Sequence, residues 1–176
     1  MKSTRANFRT PLHIACSKNV YRPALQYVFF ESDFIYATNG HIAVKLSFDY
    51  CDVIDKEKLN GKALHETAYA KILKFPFAQA TEEGVLCWDE NIKVIFRYAE
   101  GVVRPNLEKA IEGCREEAVS KIGINPDNLA FVSKCLCHRG EERVRMMFSG
   151  KEKAITIEYP NHPNQWAYVM PMMLNE

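Results

Sequence analysis

Short apolar runs separated by polar turns predict β-strands over much of the first hundred residues. Residues 24–30 are rich in aromatic and β-branched side chains, and residues 34–37 resume that pattern after a polar turn at 31–33. These two runs predict a β-hairpin. Asn39-Gly40 then precedes another apolar run at 42–48. This dipeptide is compatible with a tight turn, a β-bulge or a kink that faces a ligand.

Further strands are predicted in the middle and at the end of the chain. Residues 84–98 form two apolar runs around a polar turn at 89–91, which indicates another hairpin. A short strand is expected at 121–124. Three strands are expected to close the chain, at residues 143–148, 153–159 and 166–172.

Three segments carry apolar residues at helical spacing. The first covers residues 64–75 and ends before Pro76, because proline cannot continue a helix. The second starts after Asn106, and the third starts at Asn125-Pro126-Asp127, where asparagine can cap the helix and proline suits its first position. The residues expected to face inward are Leu64, Ala68, Ile72 and Phe75; Leu107, Ala110, Ile111 and Cys114; and Leu129, Val132, Ser133 and Leu136.

The order of these elements is strands, helix, strands, helix, strands, and most links between strands are short enough for antiparallel hairpins. Such a chain is expected to have an α+β fold, with antiparallel sheets and two or three helices packed on one face.

Composition and charge narrow the classes of function. The chain has 176 residues, 47% of them hydrophobic, which suits one domain or two very small ones. Its 23 basic and 22 acidic side chains leave a net charge of +1, so any DNA-binding face must come from local segregation of charge. No apolar run has the roughly 20 residues that span a bilayer. The basic N-terminus lacks a following apolar stretch, so no secretory signal is expected.

The six cysteines are scattered and lie mostly within apolar patterns, which predicts reduced thiols and a cytoplasmic location. The cluster Cys135, Cys137 and His138 falls short of the four paired ligands of a structural zinc site. No phosphate-binding loop, catalytic triad or zinc-protease motif is present. We therefore expect no metal, no cofactor and no enzymatic activity.

Several motifs resemble those of the bacterial DNA sliding clamps, the β subunit of DNA polymerase III. Residues 167–174, AYVMPMML, resemble the strand that ends the clamp and reads roughly VMPMRL. Residues 121–132 resemble the strand and helix that precede it in the last clamp domain. Residues 37–44, ATNGHIAV, resemble the signature ATDGHRLAV of the middle domain. Arg104-Pro105 and Lys109 resemble the link between those domains.

The resemblance implies a shortened clamp: residues 1–176 would form one clamp-like domain made of two similar β-α-β units, about 8–105 and 106–174. One copy would be too short to encircle DNA, so either several copies assemble or encirclement is not the function. The implied function is a replication and processivity accessory that binds partner peptides of polymerase or repair proteins. The alternative is a clamp-fold interaction or regulatory protein that has lost DNA encirclement.

In the clamp family, peptides bind a surface cleft between the middle and last domains. By resemblance, the cleft residues here are Thr38, Gly40, His41, Ile42, Pro105, Lys109, Val169, Met170, Pro171, Met172, Met173 and Leu174. Methionines give an adaptable apolar surface, and a glycine lets the backbone approach a ligand closely. Ile42 and Met173 stand where the family has arginine, so the cleft is expected to be more apolar. Pro171 within a strand predicts an edge position, where a peptide can dock.

Sliding clamps also present helices to the phosphate backbone of duplex DNA. The candidate contacts are Lys71 and Lys74 on the first helix, with Lys134 and Arg139 near the end of the last. Contacts of this kind are electrostatic and independent of sequence. The alternative is that these side chains are only solvated, or that they favour the helix dipole. Self-association stays open, and no membrane partner is expected.

Overall fold

Ten β-strands and three α-helices make up the regular structure of the residues that the computed structural model describes, 6–136 and 143–174. The strands are β1 (Tyr27–Glu31), β2 (Phe34–Thr38), β3 (Ile42–Ser47), β4 (Ala63–His65), β5 (Phe77–Ala80), β6 (Gly84–Trp88), β7 (Lys93–Arg97), β8 (Arg145–Met147), β9 (Ile155–Glu158) and β10 (Gln165–Val169). The helices are α1 (Glu66–Ile72), α2 (Leu107–Ile111) and α3 (Pro126–Cys135). Four short 3₁₀ segments lie at Leu12–Ala15, Pro23–Leu25, Phe48–Tyr50 and Lys56–Leu59.

Two antiparallel sheets hold these strands. The larger sheet has seven strands in the order β4-β1-β2-β3-β10-β9-β8, and the smaller contains β5-β6-β7. The pairing of β3 with β10 runs from Leu46 opposite Gln165 to Ile42 opposite Val169. Strands from the first fifty residues are therefore joined directly to strands from the end of the chain. We call this pairing the β3–β10 joint, and the candidate site lies beside it.

The seven-stranded sheet buries side chains on both faces. Val28 and Phe30 of β1 point to one face, and Phe29 points to the other, as the two-residue period of a strand requires. On the first face, which we call the core face, α1, α3, the Leu12–Ala15 segment and the smaller sheet pack into one hydrophobic cluster. Two helices on one face of antiparallel sheet confirm the predicted α+β class.

Residues 99–111, which we call the connector, pack on part of the opposite face. Leu107 and Ile111 of α2 pack there against Phe29, Tyr36 and Tyr168. The Tyr36 hydroxyl donates a hydrogen bond to the Pro105 carbonyl at 3.4 Å. Helix α2 therefore lies on the other side of the sheet from α1 and α3. We call this surface the connector face.

Both predicted asparagine caps are confirmed. Asn125 Oδ1 accepts a hydrogen bond from the Asp127 amide at 2.9 Å, and Asn106 Oδ1 accepts one from the Lys109 amide at 2.8 Å. Each cap satisfies an amide that has no partner within its own helix. The helix predicted over 64–75 is shorter than expected, because Leu64 pairs with Val28 in β4. The helix itself begins only at Glu66.

Other parts of the structure also differ from what the sequence predicts. Residues 121–124 form no strand; only Gly123 makes a bridge, to Met172. In α3, Ser133 is exposed and Cys135 is fully buried in its place.

The strands β1–β3, β5–β7 and β8–β10 form three antiparallel meanders. The division of the chain into two similar units near residue 105 remains a prediction.

Candidate peptide-binding site

The turn between β2 and β3 is held by its own side chains. The Thr38 hydroxyl donates to the Ile42 carbonyl at 2.6 Å and accepts from the Gly40 amide at 3.1 Å. Asn39 Oδ1 accepts from the amides of His41 and Ile42 at 2.8 and 2.9 Å. Gly40 has a φ of +90°, which L side chains rarely adopt. The sequence leaves a tight turn, a β-bulge and a ligand-facing kink open for Asn39-Gly40, and the structure has the tight turn.

This turn meets the end of β10. The Met170 amide donates to the His41 carbonyl at 2.8 Å, one step beyond the pair Ile42–Val169. Two of the motifs that carry the family resemblance, residues 37–44 and 167–174, are therefore adjacent in space, although more than 120 residues separate them. β10 lies between β3 and β9 and ends at Val169. Pro171 follows the strand, so the prediction that it marks an edge strand is wrong.

An apolar cavity of about 170 Å³ opens beside this joint. Six of the predicted cleft residues line it: Thr38, Gly40, His41, Ile42, Pro105 and Met170. The other walls include Leu25, Ala43, Leu107, Ala110, Ile111, Ala154 and Tyr168, which the sequence did not assign to a site. The connector supplies one side through the apolar stripe of α2. That stripe was recognised in the sequence as a helix face, but nothing local indicated what it would face.

The remaining predicted cleft residues lie elsewhere. Val169 is fully buried in the core cluster, and Lys109 is exposed outside the cavity lining. Met172, Met173 and Leu174 line a different groove of about 390 Å³, together with Lys121, Ile122 and Gly123. The Met172 amide donates to the Gly123 carbonyl at 2.9 Å. Gly123 is needed there, because a Cβ would lie 2.8 Å from both the Met172 carbonyl oxygen and Leu174 Cδ2.

A second groove, of about 550 Å³, also has His41 in its lining. It runs between the chain around Lys18 and helix α3, and Phe131 forms part of its wall. His13 also lines it, and burial, followed by the charge of Lys18, lowers the pKa of its imidazole. Because the pKa starts from 6.5, His13 is mainly neutral at pH 7. His41 belongs to both the cavity and this groove.

The candidate DNA-contacting lysines lie on or next to two helices of the core face. Lys71 lies in α1, Lys74 lies two residues after it, and Lys134 lies in α3; all three are exposed. Both helices pack on the core face and contact the Leu12–Ala15 segment. Arg139 lies outside the described residues.

The buried thiols are poor nucleophiles and poor metal ligands. Burial raises the pKa of Cys51, Cys87 and Cys135 to about 12, so each remains a protonated thiol at neutral pH. Within residues 6–136 and 143–174, no three His, Cys, Asp or Glu side chains are grouped so that they could hold a metal ion. Cys137 and His138 lie outside these ranges. No helix in the same ranges is long and apolar enough to cross a membrane.

This chain resembles known proteins in its fold but not detectably in its sequence. No family model matches the chain, and no curated protein matches it by sequence. Solved structures do match. The DNA polymerase sliding clamp of Bacillus subtilis superimposes with a TM-score of 0.64 at 13% identity, over 94% of this chain and 61% of that one. The DNA polymerase III subunit beta of Borrelia burgdorferi, solved in complex with a natural product, gives 0.68 at 13% identity, over 95% and 59%.

A third structure, the sliding clamp of Pseudomonas aeruginosa, gives a TM-score of 0.66 at 14% identity, over 98% of this chain and 65% of that one. The chain therefore has the fold of the bacterial DNA sliding clamps, which confirms the resemblance in its motifs at the level of the fold. It spans about three fifths of the length of these structures.

Proposed function

We propose that this protein is a sliding-clamp-like accessory of DNA replication, which binds partner peptides in the cavity beside the β3–β10 joint. The observation that carries the proposal is the convergence of residues 38–43, the connector and Met170 on one apolar cavity within a clamp fold. Its mostly apolar lining with a few polar groups is typical of ligand sites, but its volume of about 170 Å³ is below the roughly 300–1,000 Å³ of pockets that hold a whole small molecule. We infer a binding protein rather than an enzyme.

The size of the cavity defines the part of a peptide that it accepts. An apolar protein cavity of roughly 150 Å³ holds a benzene molecule, so about 170 Å³ suits one leucine or aromatic side chain. Burial of one such side chain contributes roughly 1.5–3 kcal/mol. One anchor of this size supports only weak binding, so neighbouring residues of the peptide must contribute the remaining affinity and the specificity.

Binding is tested by filling the cavity. Ala110 lines it and is exposed on α2, whereas Ala130 is exposed on α3 and lies outside the cavity lining. The probe is a fluorescein-labelled octapeptide with Leu-Phe at its centre and Gly and Ser elsewhere. We expect Ala110→Tyr to weaken binding at least tenfold and Ala130→Tyr to leave it unchanged, measured by fluorescence anisotropy. Equal binding by the two variants, or no binding by the wild type, would overturn the proposal.

Contact with duplex DNA is the second part of the proposed function. It rests on Lys71, Lys74 and Lys134, which are exposed on helices of the same face. Each phosphate contact changes the slope of log K against log salt by roughly 0.9. Replacing all three lysines with alanine should therefore reduce the slope for a 30-base-pair duplex by about 2 to 3. Replacing the exposed Lys93, Lys121 and Lys151 makes the same change in charge and serves as the control.

The alternative function is a clamp-fold regulator that binds only protein partners. The net charge of +1 favours it, because no global excess of positive charge attracts DNA. A wild type that binds the octapeptide but shows no salt-dependent affinity for the duplex would support this alternative. The solution mass, measured with and without DNA, would show whether several copies assemble around the duplex.

A further inference from the structure

Strand β7 is an open edge of the smaller sheet. The strand order is β5-β6-β7, so each outer strand has one side that faces away from β6. On β5 that side is partly covered by bridges to Ala6 and Ile54. In the described part of the chain, β7 pairs with β6 and with no other strand. We call the uncovered side of this five-residue strand the β7 edge.

The register of β6 and β7 shows which backbone groups lie on the β7 edge. In an antiparallel pair, every second residue of a strand exchanges hydrogen bonds with its partner strand, and the residues between them point their amides and carbonyls away. Ile92 and Tyr98, just outside the two ends of β7, both bond to residues that flank β6. Residues 94 and 96 follow the same alternation and bond to β6. The residues whose backbone groups face the β7 edge are therefore Lys93, Ile95 and Arg97.

The side chains of the same three residues are also exposed. Val94 and Phe96 pack against the core cluster, whereas 38% of Ile95 is exposed and the two basic side chains lie on the surface. Neither Lys93 nor Arg97 makes an ion pair of 4.0 Å or less with any residue that the structure describes. The β7 edge therefore presents a cation, an apolar side chain and a second cation at two-residue intervals.

An apolar row on β5 and β6 continues from this edge. Leu86 of β6 lies opposite Ile95. Trp88 lies opposite Lys93 and stacks on Phe77, with 5.7 Å between the ring centroids. The three side chains on β5 and β6 are only partly buried. An apolar residue placed beside Ile95 by an added strand would thus extend an existing apolar surface.

The charges of the edge determine which strand it fits. If the β7 strands of two copies paired antiparallel about Ile95, Lys93 of each copy would lie opposite Arg97 of the other. Like charges directly opposite each other destabilise a strand pair, whereas opposite charges stabilise it. The edge is therefore unsuited to a second copy of itself. It suits a strand with carboxylates at two positions and an apolar residue midway between them.

We propose that β7 is the docking edge for an extended segment of a partner protein, with acidic residues opposite Lys93 and Arg97 and an apolar residue opposite Ile95. Main-chain hydrogen bonds contribute the affinity of such strand addition, and alternate side chains contribute its specificity. This interaction goes beyond the proposed function, because no described residue of the smaller sheet lines the cavity at the β3–β10 joint. Cations on an edge strand can also serve only to prevent pairing, and in that role they would bind no acidic strand.

The charge pattern is tested with two fluorescein-labelled heptapeptides. One is Thr-Glu-Val-Val-Val-Glu-Thr, which reads the same in both directions, and the control has Lys in place of both Glu residues. We expect the wild type to bind the Glu peptide about tenfold more tightly at low salt, because two opposite-charge pairs replace two like-charge pairs. The double variant Lys93→Glu, Arg97→Glu should reverse this preference. An excess of the unlabelled Leu-Phe octapeptide should not displace the Glu peptide, since the cavity is not involved.

Main-chain pairing is tested from both sides of the interface. Ile95→Pro removes an amide of the β7 edge but no hydrogen bond to β6, and edge strands tolerate proline at such positions. It should weaken binding of the Glu peptide at least tenfold, whereas Ile95→Val should retain binding. The peptide is also N-methylated either at its second, fourth and sixth residues or at its third and fifth. Only one of these two forms should lose binding, because every second amide of an added strand faces β7.

Amide hydrogen exchange locates the bound strand. With the Glu peptide present, the amides of Lys93, Ile95 and Arg97 should exchange more slowly, while those of Val94 and Phe96 should be unchanged. Thermal melting checks that each variant is folded, and the N-methylated peptides test the main-chain pairing on the wild type itself.

Three results would overturn the inference: no binding of the Glu peptide, equal binding of the Glu and Lys peptides, or protection of amides outside β7 alone. It is also overturned if sedimentation velocity shows a wild-type dimer that Ile95→Pro dissociates, because a second copy would then occupy the edge. None of these results bears on the cavity, which the Leu-Phe octapeptide tests separately.

Discussion

The two faces of the seven-stranded sheet are built differently, although the same strands supply both. The core face packs Val28, Phe30 and many other fully buried side chains against α1, α3 and the smaller sheet. The connector face holds a much smaller cluster under residues 99–111, where α2 has only five residues. We infer that the core face supplies most of the stability, whereas the connector face is shaped to hold a cavity.

Besides its small apolar cluster, the connector is attached by a few polar contacts. Lys45 pairs with Glu108 at 2.5 Å and Arg104 with Glu31 at 3.7 Å, and Arg104 also donates to the Gly61 carbonyl. In each pair at least one partner is exposed, Glu108 in the first and Glu31 in the second, and such ion pairs contribute little to stability. A loosely attached segment can adjust around different anchors at low cost, which suits a site for partner peptides.

The largest expected difference between the faces concerns core truncation. Phe30 is fully buried on the core face, so Phe30→Ala should lower the free energy of unfolding by about 3–5 kcal/mol. Leu107→Ala should cost about 2 kcal/mol, at the low end for leucine, because Leu107 is 8% exposed and α2 can settle into the space. Urea unfolding measures both changes in the free energy of unfolding, provided that the m-value is the same in each variant as in the wild type. Equal losses would contradict the division of roles between the faces.

The helix caps should show the same asymmetry on a smaller scale. Asn125→Ala removes the cap of the ten-residue α3, whose inner side is part of the core, and should cost about 1 kcal/mol. Asn106→Ala removes the cap of α2 and should cost less than half of that in global stability. Hydrogen exchange distinguishes the two variants, because loss of the Asn106 cap should speed exchange of the Lys109 and Ala110 amides alone. Faster exchange throughout the core in Asn106→Ala would argue against a loosely attached connector.

The smallest effect is expected from the ion pair of the connector. Glu108 is 73% exposed, so Glu108→Gln should lower the free energy of unfolding by roughly 0–1 kcal/mol, and added salt should reduce that difference. The double variant with Lys45→Met isolates the pair by a thermodynamic cycle. A coupling of several kcal/mol would mean that the connector is a firm part of the fold.

The sequence predicted those features that depend on neighbouring residues. Asn106 and Asn125 were recognised as caps, and the β1–β2 hairpin was recognised from its polar turn, because each signal lies within a few positions of its effect. The convergence of residues 38–42 with the end of the chain was predicted only through the family resemblance. Apolar periodicity alone could not indicate that β3 pairs with β10, since that pairing joins distant segments.

Long-range packing explains what the sequence missed. Leu64 has helical spacing with Ile72, but pairing with Val28 places it in a strand. Met172 and Leu174 were assigned to the cleft, yet the chain turns after Met170 and binds Gly123 instead. The groove of about 550 Å³ was not foreseen because Arg22, His13 and Phe131 meet only when the Leu12–Ala15 segment packs on α3.

The position of a bound peptide can be read directly from the methionine methyl groups. The chain has six methionines, at positions 1, 146, 147, 170, 172 and 173, so ¹³C-methyl NMR gives a resolved and assignable set. When the Leu-Phe octapeptide is added, we expect the Met170 methyl to shift in proportion to occupancy, while Met146 and Met147 stay in place. Shifts confined to Met172 and Met173 would place the peptide in the other groove. That result would contradict the proposed site.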